Sequence, residues 1–215
     1  MKTLSFKKPI NILCLLLSAL IFAGLFSACQ STPKAPDVYN TTAATEATVT
    51  TESSDSTAPT EEKLPVNPIN FDELTAINPD LYAWIKIPGT VIDYPVAQSS
   101  VDDDNYYLHH NYMGNYEFAG TIYSQRHNTK YFLERMTVLY GHNMLDGSMF
   151  AGLHQFSDPE FFEENDTLYI YIPGHILTYK IFAAYDYDDR HLMNSFRFYD
   201  DEVYSQYIKD CLNPH

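Results

Sequence analysis

Residues 30–68 are dominated by Thr, Ser, Ala, Glu and Pro and hold almost no large apolar side chain. A stretch of that kind cannot bury enough surface to offset the entropy lost on ordering, so it is expected to be a flexible tether. Whatever folds must lie on one side of it or the other, and the two sides are unlike.

On the N-terminal side, Lys2, Lys7 and Lys8 precede an apolar run from Ile10 to Ala28. This is the charged-then-apolar layout of an export signal, and the run is close to the roughly 20 residues that span a bilayer. It ends Leu25-Phe26-Ser27-Ala28-Cys29, similar to the lipidation box of bacterial lipoproteins. Two outcomes stay open: cleavage with lipid attached to Cys29, or an uncleaved signal anchor. Both leave the remainder of the chain outside the membrane and tied to it. The expected organisation is a signal peptide or anchor over 1–28, a tether over 29–68 and one folded domain over 69–215.

That last stretch is long enough for a single domain with a real core. The formal net charge of −15 argues against nucleic acid as a partner and against docking of the domain itself on an anionic membrane. Of three cysteines, Cys14 lies in the apolar leader, Cys29 at the lipidation-like box and Cys211 near the end. With Cys29 lipidated, the domain keeps one thiol and no internal disulfide. The eight histidines show no ligand spacing, so neither a metal site nor a cofactor is expected.

Within the domain, Phe71, Leu74 and Ile77 set a short helix that stops before Asn78-Pro79. Two apolar runs flank the turn dipeptide Pro88-Gly89, and two more flank Pro173-Gly174, which predicts paired strands. Residues 102–120 lack a period and read as a long irregular connection. There His109 and His110 would point to opposite sides, and with Tyr107 they read as surface or half-buried groups. Residues 120–125 and 136–143 are short β-like runs. Met149, Phe150, Leu153 and Phe156 fall near helical spacing. Asp200 or Asp201 caps a last helix, whose apolar face is Val203, Tyr204, Tyr207, Ile208, Cys211 and Leu212. The fold class expected is therefore mainly β with short helices, a barrel-like sheet entered by an N-terminal helix.

One stretch carries more than architecture. "LYGHNMLDGSMFAGLHQF" (139–156) delivers His142 to the end of a strand and follows it with a turn, Asp146-Gly147-Ser148. Asn143 and Ser148 are placed to orient that turn or to hold the imidazole. Together with 77–99, 106–114, 120–125 and 161–171, this stretch resembles the class B sortases, cysteine transpeptidases that attach exported proteins to Gram-positive cell walls. The resemblance implies a sortase-type barrel and a site of His, Cys and Arg. It also implies cleavage of a sorting-signal peptide and transfer of the acyl group to a cell-wall peptide amine. The location implied is the extracytoplasmic face of a Gram-positive cell membrane. His142 falls on the family's histidine. The family's Cys, in a Thr-Leu-x-Thr-Cys segment, and its Arg, on the final strand, have no match in this sequence. The expectation is thus a sortase-like domain lacking the last two strands and inactive by itself, or a tethered, non-catalytic peptide-binding relic.

Cys211 is the one thiol in the domain, so a Cys211–His142 pair is the rival reading. The residues before it, Tyr-Ile-Lys-Asp, are helical in pattern, and an apolar helix face suits a packed cysteine better than a nucleophile. Arg126, Arg135, Arg190 and Arg197 read as surface charges.

Overall fold

The computed structural model describes residues 66–213, together with Pro36. The expectations for the leader 1–28 and for Cys29 lie outside the described residues, as does nearly all of the tether. No helix among the described residues is long and apolar enough to cross a membrane.

Entry into the domain is fastened by Asn67, whose Nδ2 donates to the Ile172 carbonyl at 2.9 Å. Helix α1 (Phe71–Ile77) follows, with Asn70 as its cap accepting from Glu73 N and two acidic residues in its first turn. Of the three apolar positions that predicted it, Leu74 is fully buried and Ile77 stays exposed.

The main body is one curled six-stranded sheet, a half-barrel, ordered β4-β3-β2-β1-β5-β6. Its strands are β1 (Leu81–Lys86), β2 (Asp93–Ala97), β3 (Ile122–Ser124), β4 (Leu139–Tyr140), β5 (Thr167–Ile172) and β6 (His175–Lys180). All neighbours run antiparallel except β2 and β3. A parallel pair cannot be closed by a tight turn, and the long connection between those two strands supplies the crossover.

Strand β1 sits mid-sheet and is covered on both faces, which is why five consecutive residues are buried. Trp84 and Leu81 face the layer under α1, while Ala83 and Ile85 face the main core with Val96, Ile122, Leu168 and Ile170. Leu81 and Ala83 are two apart yet lie in different layers because the ladder slips between them, a bulge in the pairing with β2. The hairpin β5–β6 is in register from Thr167↔Lys180 to Ile172↔His175, closed by Pro173-Gly174 as the sequence predicts.

Around the sheet lie short helices. Residues Phe150–Ser157 form a 3-10 helix, tighter than the α-spacing suggested, and α2 (Pro159–Glu164) continues from it with Asp158 as cap. A brief α3 (Leu192–Ser195) was not expected from the sequence; its cap is a histidine ring, His191, accepting from Asn194 N. Helix α4 (Asp201–Leu212) is capped by Asp200, not Asp201. Its buried face is Tyr207 and Cys211, flanked by Tyr204 and Ile208, and it packs on Met136, Val138, Leu192 and Phe198. Leu212, expected on that face, is exposed.

Candidate active site

The site grows out of the two residues that end β4. Strand β4 stops at Tyr140, and Gly141 carries the chain over its neighbours with no room for a side chain. A Cβ there would lie 2.4 Å from Ile122 Cδ1 and 2.9 Å from Phe150 Cδ2. His142 comes next, its carbonyl held by Phe150 N at 2.9 Å. Residues 143–149 then close on themselves through the Asn143–Met149 bridge. Asp146 Oδ1 accepts from Ser148 N at 3.0 Å and from Ser148 Oγ at 2.6 Å. Ser148 thus orients the turn, as the sequence suggested. Asn143 Oδ1 pairs with His154 Nε2 at 3.1 Å, so neither side chain holds the His142 imidazole.

What holds it comes from the crossover between β2 and β3. Residues Tyr106–Leu108 make a 3-10 turn, and Tyr107 is fully buried under it. This corrects the reading of Tyr107 as a surface or half-buried group. Its hydroxyl donates to Asp80 Oδ2 at 2.9 Å and accepts from Asn78 Nδ2 at 2.8 Å. The returning chain presses against this turn at Gly120, where φ is +63° and a Cβ would meet the Tyr107 and Leu108 carbonyl oxygens at 2.4 Å. Only glycine fits so close a backbone passage. The Leu108 carbonyl is thereby aimed at His142, and Nε2 of the imidazole bonds to it at 2.9 Å.

A carbonyl oxygen only accepts, so Nε2 carries the proton of this bond and Nδ1 keeps its lone pair. Two aromatic rings complete the setting: Phe118 stacks on His142 at 4.9 Å between centroids, and His109 lies 5.3 Å away. His110, as expected, turns the other way and stacks on Tyr106 at 3.7 Å. Burial holds the His142 pKa below its ordinary value; the Leu108 bond opposes this and the neighbouring His109 adds to it. His142 is therefore a neutral imidazole near pH 7, with Nδ1 ready to take a proton. Phe118 is about half exposed, so the partly buried imidazole opens beside an accessible aromatic ring. In the sequence His109 reads as no more than a surface or half-buried group, and Phe118 is not singled out. The alternation of His109 and His110 hinted at the first, but no pattern marks the second.

The other candidates lie apart. Hydrogen bonds and ring contacts of His142 go to Leu108, His109 and Phe118, and Cys211 is not among them. Cys211 is buried on α4, where its Sγ accepts from the Tyr185 hydroxyl at 3.2 Å. Arg126 pairs with Asp102 and Asp104, Arg135 with Asp201, and Arg190 with Asp188, all at the surface. Arg197 is exposed. Among the described residues no group of three or more His, Cys, Asp or Glu side chains is arranged to hold a metal ion.

No protein-family model matches the chain. By sequence it is 43% identical over 116 residues to sortase B of Listeria monocytogenes, covering 53% of this chain and 46% of that protein. The chain spans about half the length of the sortase B relatives it matches by sequence. Among solved structures, sortase B of Clostridium perfringens superposes with a TM-score of 0.60 at 34% identity, over 66% of this chain and 78% of that one. A Staphylococcus aureus sortase B–substrate complex matches with a TM-score of 0.59 at 28% identity, over 66% of this chain and 65% of that one. A curled sheet with this strand order, a histidine at the end of β4 and these relatives agree: the chain belongs to the class B sortase family.

Proposed function

We propose that the domain carries the histidine side of a sortase site, which serves to cleave a sorting signal on an exported protein and to join it to a cell-wall peptide amine. The observation that supports this most is the His142 geometry. Its Nε2 is tied to the Leu108 carbonyl and its Nδ1 is left for proton transfer, with the ring stacked on the exposed Phe118. Sortase chemistry asks a thiolate to attack the peptide carbonyl, a proton carrier to serve the leaving and entering amines, and a cationic donor to stabilise the oxyanion. In this reading His142 is the proton carrier. Sorting-signal peptides are the ligand class, supported by the related S. aureus enzyme having been solved with a substrate. The location belongs to the same proposal: the extracytoplasmic face of a Gram-positive membrane, reached through residues 1–28 and the tether, with Cys29 as a lipid site. Its support is the sequence pattern alone.

Among the described residues, no thiol or guanidinium stands beside His142 to finish the reaction. The reading is therefore that this polypeptide by itself recognises peptide without transferring it. Incubation with a sorting-signal peptide and hydroxylamine is expected to yield no hydroxamate. Turnover that disappears in Cys211→Ala would overturn this and make Cys211 the nucleophile.

A further inference from the structure

The ring beside His142 is itself titratable, and the reading above gives it no role. His109 follows Leu108, the residue whose carbonyl fixes His142, so one short piece of backbone sets both the bond and the spacing of the two imidazoles. That piece is immobilised twice over: the His109 carbonyl accepts from Glu117 N at 2.9 Å, and the Tyr107 carbonyl accepts from Thr121 N at 2.9 Å. Phe118 packs against both rings, at 4.9 Å from His142 and 5.9 Å from His109, so the three form a compact triangle. Within it, His109 Nδ1 is buried and has no hydrogen-bond partner among the described residues. The Nδ1 of His142 makes no hydrogen bond either, because its bond runs through Nε2.

We propose that His109 is a positioning residue for His142: the two imidazoles form one coupled pair, in which a charge on one ring disfavours a charge on the other. Two cations 5.3 Å apart between ring centres repel, and partial burial of both rings, with His109 Nδ1 out of contact with solvent, leaves that repulsion less screened than in water. Burial is the main cause of the lowered His142 pKa, and the smaller contribution of His109 acts in the same direction. The Tyr116 ring lies 6.3 Å from that of His109, and the other ionisable groups nearby are already engaged. Glu117 accepts from Asn111 Nδ2 at 2.8 Å, and His110 Nδ1 is bonded to the Tyr106 carbonyl at 2.6 Å. His154 is paired with Asn143 and Asp146 with Ser148. No carboxylate is described in contact with either ring to absorb the second proton. The pair would keep His142 able to accept a proton down to a lower pH than a solitary histidine could.

This proposal rests on His142 being the functional histidine, but its test is made on the resting chain and needs no turnover. The full chain, labelled with 15N and 13C in histidine, is titrated by NMR. In the wild type, the His142 ring signals are expected to titrate in two phases, with an inflection at the midpoint of His109. In His109→Phe, which keeps a ring against Phe118, His142 is expected to follow a single-proton curve with its midpoint raised by about half a pH unit. His109→Gln should give the same direction, and His110→Phe should leave His142 unmoved. A single-site His142 curve in the wild type, blind to His109, overturns the coupling even if both variants fail to fold. An absence of peptide cleavage bears on the sortase reading and leaves the coupling untouched.

Discussion

The end of the sheet that holds His142 and the helical corner that holds Cys211 are built on opposite principles. At His142, backbone does the holding: Gly141 before it, Gly120 packed against the Leu108 carbonyl, that carbonyl to the imidazole and an amide to its own carbonyl. The ring is left partly open beside Phe118. At Cys211, side chains do the holding. Phe198, Leu192 and Met136 close on α4 beside its own Tyr207, and Cys211 is 1% exposed. A group meant to exchange protons needs a fixed direction and access, whereas a group meant to pack needs contact on every side. The difference explains why the two residues most suggestive of chemistry in the sequence are not a pair.

Substitutions that attack one region should spare the other. The largest effect is expected from Gly120→Ala. It forces a left-handed backbone onto alanine and drives its Cβ against two carbonyl oxygens, a cost of about 2–4 kcal/mol. Thermal unfolding would read the loss, and the His142 NMR signals should shift as the Leu108 carbonyl is displaced. Next comes Phe198→Ala, which opens a cavity among Phe196, Tyr207 and Leu192 for about 3 kcal/mol. It should leave the His142 signals in place, and a matching shift there would break the separation of the two regions. Gly141→Ala is expected to cost about 1–3 kcal/mol, because flexible Ile122 and Phe150 side chains, not backbone, must give way.

The smallest effect is on pH. Because His142 binds its proton less readily when folded, the unfolded chain takes up a proton that the folded chain refuses. Stability should therefore fall as pH drops below about 6.5, the unfolded histidine value. His142→Gln should flatten that dependence in denaturant titrations.

How much of this could be read from residues alone varies with how local the cause is. The hairpin at Pro173-Gly174, the Asp200 cap and the last helix were legible because a turn dipeptide, a capping side chain and a 3.6-residue period are local signals. His142 at the end of β4 was legible because the motif around it is specific. Tyr107 was not, since its burial depends on Asp80 and Asn78, which lie far away in sequence. His109 and Phe118 were missed for the same reason: they meet His142 only because Gly120 lets two backbone segments touch. The bulge at Leu81–Ala83 shifts side chains between layers in a way that no alternation pattern reveals.

The separation of His142 from Cys211 is tested most directly by alkylation. The full chain is treated with iodoacetamide at pH 7, and modification of the Cys211 peptide is followed by mass spectrometry in the wild type and in His142→Ala. A buried thiol on an apolar helix face should react about a hundredfold more slowly than in the unfolded chain, at a rate the His142 substitution does not change. Rapid alkylation of Cys211 that slows when His142 is removed would contradict the account and unite the two residues in one site.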